Sequence, residues 1–436
     1  MTATAALARL ALSAVPDTPA PPRRGGRVEG FDGLTICCDG LDAEVGAVCA
    51  AGGAACEVIG FDGARTLLMT LATVHKLRPG TPVIPLRGGA RVAAGAALLG
   101  RVVDGNGRPI DGGAPPADTV RVALDPPPPN PLTRAAITRP LATGVRVIDA
   151  LLTLGAGQRI GIMAGSGVGK STLLGQIARH AACDVAVVAL IGERGREIAD
   201  FVGTQLDAGA RARSVVVAVD AGQAPLLRVR GAMRAHAIAE AFRAEGRSVL
   251  LIVDSLTRVA HASREIGLAR GEAPAARGYP PSALALLPRL VERAGGDRAS
   301  GGSITAIYTV LADGDDMNDP VVDAARGVLD GHIVLARDAA QRGIWPAIDV
   351  AASLSRAMPG LVDADHADAA SAFRRDLALI AANRDLVLMG AYAVGSDAAV
   401  DAALAREAAL DAFRGQDRDA VVPFDAARDA LLAVMA

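Results

Sequence analysis

Aromatic residues are scarce in this chain: one Trp, three Tyr and seven Phe amount to 3% of 436 residues. Proteins that grip single-stranded nucleic acid stack bases on exposed rings, and the segment 26–93 offers only Phe31 and Phe61, each in a Gly-Phe-Asp-Gly segment that reads as a turn. An excess of one charge is also missing. Lys plus Arg number 45 against 47 Asp plus Glu, a formal net charge of −2, which speaks against coating phosphate backbones. Nucleic acid is therefore not an expected partner. The five cysteines, Cys37, Cys38, Cys49, Cys56 and Cys183, form no C-x-x-C pair and have no histidine cluster nearby, so reduced structural thiols are expected instead of a zinc site. Long apolar runs are lacking too, and no basic stretch followed by an apolar core opens the chain. These absences predict a cytoplasmic protein with peripheral membrane association at most.

What is present is a large apolar share, 51% of residues against 21% charged, enough for packed cores in a chain too long for a single one. Residues 1–25 end in the run Pro16–Arg24 and read as a mobile tail, either inert or a docking segment. From 26 to 93, short β-rich runs broken by Gly-Phe-Asp-Gly at 30–33 and 60–63 predict a small β-barrel. The proline-rich stretch 125–131 is a stiff strap. Beyond it, apolar runs at 158–163, 185–191, 214–219, 249–253 and 304–310 alternate with helical stretches, the pattern of a parallel sheet covered by helices, and 94–358 is taken as one α/β domain. Residues 359–436 carry helical spacing in 371–383 and 397–413 and few β-branched runs, so the chain should end in a helical domain.

The strongest chemical signal is Ala164-Gly165-Ser166-Gly167-Val168-Gly169-Lys170-Ser171, followed by Thr172, between a strand and a helix. This is a phosphate-binding P-loop. Its glycines let backbone N–H groups turn inward around phosphate oxygens, with the helix N-terminus adding partial positive charge. Lys170 supplies a point charge to the β and γ phosphates, and Ser171 a hydroxyl to Mg²⁺. ATP and magnesium are the expected ligands. A P-loop needs an acid at the end of a buried strand to hold the magnesium through water, and Asp254 after Val249–Val253 fits. Water attack needs an orienting or basic group. Glu193 in Ile191-Gly192-Glu193-Arg194-Gly195-Arg196-Glu197 is the candidate, although two carboxylates among two arginines equally describe a solvated ion-pair loop.

The stretch 130–358 resembles the hexameric ATPases of the rotary ATP synthase and type III protein-export family. The resemblance is carried by Leu141–Arg146, Gly155–Arg159, the P-loop, Asp254-Ser255-Leu256-Thr257-Arg258, Arg264–Leu268, Arg277–Ser282, Gly302–Ala306 and Asp330–Leu335, and it extends more weakly over both flanks. The export branch is the nearer, and Pro225–Arg228, Gly314–Pro320, Asn383–Leu386 and Gly390–Tyr392 resemble flagellar members more than injectisome ones. Two departures are Gly271-Glu272-Ala273-Pro274 and Phe413-Arg414-Gly415-Gln416.

The resemblance implies a RecA-like P-loop NTPase core between the barrel and the helical domain. It implies that Glu193 acts on water, that Arg356 is an arginine finger for the neighbouring subunit, and that Trp345 stacks on adenine where relatives carry tyrosine; a core tryptophan is the plain alternative for the last. The implied machine is a homohexamer that works with export-gate membrane proteins, a stalk or regulator protein and substrate–chaperone complexes. A rotary synthase catalytic subunit is a rival whose acidic carboxy-terminal contact motif is not found here. An RNA-translocating hexamer is a second rival, without its aromatic platform.

Overall fold

The protein is described from a computed structural model, which covers residues 24–72, 77–86, 90–165, 167–311 and 319–436. Most of the tail 1–25, Ser166 of the P-loop and most of the segment 314–320 lie outside the described residues. Two compact units divide the chain, one ending at Gly89 and one running from Ala90 to the end, with Leu71–Thr73 added to the second.

The first unit is a closed antiparallel barrel of β1 (Gly26–Phe31), β2 (Thr35–Asp39), β3 (Val48–Ala51), β4 (Ala54–Asp62), β5 (Arg65–Thr70) and β6 (Pro82–Pro85), in the order β1-β2-β5-β4-β3-β6. Strand alternation drives Val28, Ile36, Val58, Leu68 and Val83 inward together with Cys38, Cys49 and Cys56. The thiols serve as small apolar fillers. Burial pushes Cys38 up to about 11 and Cys56 up to about 12, which keeps both protonated and unreactive. All five cysteines are free.

In the second unit, β7 (Arg91–Ala94) pairs with β9 (Val120–Ala123), and Val92 packs with Leu124 and Ala237. Residues 91–93, grouped with the barrel in the sequence reading, thus belong to this unit. The strands of the central sheet are β8 (Val102–Val103), β13 (Arg159–Ala164), β14 (Val185–Glu193), β15 (Ser214–Asp220), β16 (Ser248–Asp254), β18 (Ser303–Leu311), β19 (Gly331–Leu335) and β20 (Ile348–Ser355), in the order β20-β19-β13-β18-β16-β14-β15-β8. All neighbours are parallel except β19 and β20. Two short strands, β10 (Arg134–Ala135) and β17 (Gly295–Asp297), extend it beside β18, and β11 (Pro140–Leu141) pairs with β12 (Leu154–Gly155).

Every residue of β14 is buried, as expected of a parallel strand covered on both faces. One face packs against the helix Lys170–His180, the other against Pro225–Ala244, Leu256–Ala269 and Pro281–Val291. The helices Ala364–Leu388, Ala398–Arg414 and Phe424–Met435 complete the chain and join the first of these cores. Asp363 and Asp397 cap the first two by accepting from backbone N–H groups, and Phe373 meets Phe413 at 5.2 Å between ring centroids. Gln416 fastens this helical region to the rest. Its Nε2 donates to Gly144 O at 2.8 Å, its Oε1 accepts from Arg146 N at 2.7 Å, and its backbone N donates to Trp345 O at 2.6 Å.

Candidate functional site

The parallel strands β13, β14 and β16 end at one edge of the sheet, and each delivers a functional side chain there. Such carboxyl ends are where open α/β sheets bind ligands. β13 runs into the P-loop. Gly169, at φ 83°, turns the chain into the helix Lys170–His180 and stands as its N-cap. A Cβ on Gly169 would lie 2.7 Å from Cζ3 of Trp345, so only glycine allows the indole to rest on the loop. The loop leads into a cleft of about 550 Å³ lined by Gly165, Gly167, Gly169, Lys170, Ser171, Thr172, Glu193, Arg194, Glu197 and Arg258. Val168 is buried beneath the loop.

Lys170 sits between two carboxylates. Its Nζ is 2.5 Å from Asp254 Oδ1 and 3.4 Å from Glu193 Oε1. Burial alone would drive an ammonium to lose its proton, but Asp254 and Glu193 outweigh it and raise Lys170 above its ordinary value, so it stays charged. Asp254 is 3% exposed at the end of β16, and it also accepts from Thr309 Oγ1 of the neighbouring β18 at 2.6 Å. Two donors therefore fix one oxygen of that carboxylate.

Glu193 reaches the cleft because of Gly192. That residue, at φ 72°, sits where the register between β14 and β15 slips, and a Cβ there would fall 2.8 Å from Cβ of Arg258. The stem of Arg258 lies across the glycine, and the chain turns Glu193 inward at 7% exposure. Burial first, then the nearby Asp254 charge, push Glu193 up to about 7, against the pull of Lys170. A carboxyl with that pKa is matched to taking a proton near neutral pH. Glu197, one turn on, is 47% exposed and pairs with Arg194 at 3.5 Å. The ion-pair loop envisaged from the sequence thus forms through Glu197, while Glu193 faces inward.

Trp345 is 43% exposed beside Gly169 and is not a core residue. Arg356 is elsewhere. It follows β20, which is antiparallel to β19, so it lies at the amino edge of the parallel strands. Its backbone N donates to Asp330 O at 2.9 Å and its Nη1 to Leu329 O at 3.1 Å. Asp330 N in turn donates to Arg159 O, at the start of β13. Across the six residues of β13, roughly 17 Å at about 3.3 Å per residue separates this point from the P-loop. The structure brings Gly165, Gly167, Gly169, Lys170, Ser171, Thr172, Glu193, Asp254 and Trp345 together and leaves Arg356 on the opposite edge.

Thr309 and Arg258 were not singled out from the sequence as site residues. For Thr309 a signal existed, a hydroxyl two residues before the end of an apolar strand. Arg258 closes the stretch Asp254-Ser255-Leu256-Thr257-Arg258, but only the fold shows its stem lying over Gly192.

Comparison with known proteins fits this geometry. Residues 144–355 match the ATP synthase alpha/beta family nucleotide-binding domain, and 362–433 match the type III secretion EscN ATPase C-terminal domain. The chain is 51% identical over 410 residues to a flagellum-specific ATP synthase of Salmonella typhimurium, covering 90% of each. It is 45% identical to a type 3 secretion system ATPase of Pseudomonas syringae pv. tomato, covering 94% of each. The solved structure of the assembled ATPase EscN from enteropathogenic E. coli aligns with a TM-score of 0.90 at 39% identity, covering 94% of this chain and 100% of that one. The chain belongs to the type III export ATPases, the family of flagellum-specific ATP synthases and type 3 secretion system ATPases, and it is an ATP hydrolase.

Proposed function

We propose that the chain hydrolyses ATP as a homohexamer coupled to flagellar protein export. The observation that carries the catalytic reading is the cluster of Lys170, Asp254 and Glu193 under the P-loop. The loop amides with Lys170 grip the phosphates, and Glu193 orients the attacking water and accepts its proton. The hydroxyl of Ser171 and the carboxylate of Asp254 are hard oxygen donors suited to Mg²⁺, the latter through water. Bound there with ATP, magnesium would neutralise charge on the β and γ oxygens. Release of Lys170 from Asp254 towards the phosphates frees that carboxylate for this role. Trp345, whose indole stands half-exposed beside the loop, offers a flat face to adenine.

Arg356 cannot reach its own P-loop across the sheet, so it serves the neighbour's pocket, where its guanidinium offsets charge on the equatorial oxygens of the transition state. The ring reading draws support from the assembled EscN structures, one of them in complex with its central stalk EscO. By analogy the partners are further copies of this chain, a stalk or regulator protein, export-gate membrane proteins and substrate–chaperone complexes. Among the described residues no helix is long and apolar enough to cross a membrane, and the ring works at the cytosolic face of the secretion apparatus.

The flagellar assignment rests on 51% identity to the Salmonella flagellar enzyme against 45% to the Pseudomonas secretion ATPase. A virulence injectisome is the alternative, favoured by the match of 362–433 to the EscN C-terminal domain. Restoration of swimming, and not of effector secretion, in hosts lacking the respective ATPase decides between them. For the shared pocket, specific ATPase activity should rise with protein concentration as rings assemble. It should fall on the order of 10³-fold in Arg356→Ala. Activity independent of concentration and of Arg356 would refute the ring.

A further inference from the structure

The edge that carries Arg356 is held by a buried amide. Gln158, fully buried immediately before β13, uses every hydrogen-bonding group it has that the fold can reach. Its Oε1 accepts from Gly155 N at 2.8 Å, and its Nε2 donates to Asp330 O at 3.1 Å and to Ser355 Oγ at 3.0 Å. Asp330 O is also the acceptor of Arg356 N, and Ser355 is the residue before Arg356 and donates onward to Thr153 O at 2.8 Å. The Asp330 side chain completes the clamp by accepting from Arg159 N at 3.0 Å and Nε at 3.1 Å. The turn bearing Arg356 is thus tied at two points to one side chain, and that side chain is continuous with the strand that feeds the P-loop.

We propose that Gln158 is the positioning residue for Arg356, and that β13 links the P-loop of a subunit to the finger it offers its neighbour. The inference rests on the reading of Arg356 as acting in trans. Gln158 acts on Arg356 indirectly, through the Ser355 hydroxyl and through Asp330 O, the acceptor of Arg356 N. A shift of about 1 Å in a group that meets a transition state costs as much as 10²-fold in rate, and both hydrogen bonds donated by Gln158 Nε2 bear on where Ser355 and Arg356 lie. β13 is hydrogen-bonded on both sides, to β18 and β19, so the strand that joins Gln158 to the P-loop is held firmly within the sheet.

Mixed rings test this. Lys170→Ala subunits lack a working pocket but keep the finger, and Arg356→Ala subunits keep the pocket but lack the finger. Mixing the two should restore ATPase activity wherever a finger donor adjoins a pocket. Gln158→Met, close in volume, is then placed in one partner at a time. In the finger donor it should lower the restored activity roughly tenfold or more, and in the pocket subunit it should leave most of it. Ser355→Ala, which removes the oxygen that meets Nε2 together with its bond to Thr153 O and leaves the bond to Asp330 O, should show the same asymmetry with a smaller loss, and it takes over if Gln158→Met fails to assemble on gel filtration. No restoration in the parent mixture would overturn the trans reading of Arg356 itself. Restoration that falls equally in both placements, falls only in the pocket subunit, or does not fall at all would overturn the role of Gln158 while leaving Arg356 in place.

Discussion

The two edges of the central sheet treat their key cations differently. At the carboxyl edge, charges are gathered and matched within the chain: Lys170 lies between Asp254 and Glu193, and each of the three is largely withdrawn from water. At the amino edge, Arg356 is exposed and hydrogen-bonds only to a carbonyl oxygen, with no carboxylate partner among the described residues. The first edge offers loop amides and a lysine to a phosphate; the second offers an exposed guanidinium. On the proposed reading this contrast is the physical reason for assembly, the cation that completes a pocket being supplied by another copy.

Removing the centre of the first edge should have the largest effect. Lys170→Ala is expected to abolish magnesium-dependent nucleotide binding, measured by calorimetry, and leave no detectable hydrolysis. Next comes Glu193→Gln, which should lower kcat on the order of 10²-fold or more while nucleotide still binds. A pH series sharpens this. Glu193 must be ionised to act as a base, and its pKa is raised to about 7, so kcat/KM should climb as pH rises through 7 and flatten above it. The limb should vanish in Glu193→Gln. Linkage has the opposite sign: a raised folded pKa means the folded protein holds this proton more tightly than the unfolded chain. Its contribution to stability is therefore present below the unfolded value and lost as pH rises through about 7.

Thr309→Val should act more weakly. It removes one donor to Asp254 and leaves that oxygen with Lys170, at a cost of about 1–3 kcal/mol for a bond to a charged group, seen as a lower melting temperature and a modest rise in KM for ATP. The smallest effect should come from Glu197→Gln. Its exposed pairing with Arg194 contributes at most about 1 kcal/mol of stability, and it lies outside the Lys170 cluster, so the rate at high pH should stay near the parent's while the pH limb moves lower, because Glu197 helps to raise Glu193. A Glu197 variant as damaged as the Glu193 one would erase the distinction between the buried and the solvated carboxylate.

The elements of the carboxyl edge were legible because each leaves a local mark. A glycine-rich loop ending in Lys-Ser, an acid closing an apolar run, and turn residues around Glu193 are readable within a few positions. Which of Glu193 and Glu197 faces inward was not readable from the pattern itself, because the left-handed Gly192 and the slipped register decide it. Thr309 escaped notice since its tie to Asp254 depends on β16 and β18 being neighbours, a fact of strand order. The amino edge was harder still. Arg356 came only through family resemblance, and the clamp of Gln158, Asp330 and Ser355 joins residues up to 197 positions apart. At the barrel boundary, β7 has the composition of a barrel strand, but its partner is β9 in the following unit, and pairing partners are not encoded in composition.

The bare α-carbon of Gly169 has one more consequence. With no methyl group between them, the indole of Trp345 rests against the Gly169 end of the phosphate loop, and it is the only tryptophan of the chain. The polypeptide therefore carries its own fluorophore beside that loop, so an unlabelled, unmutated sample is expected to signal through its intrinsic emission when a ligand arrives and when it departs.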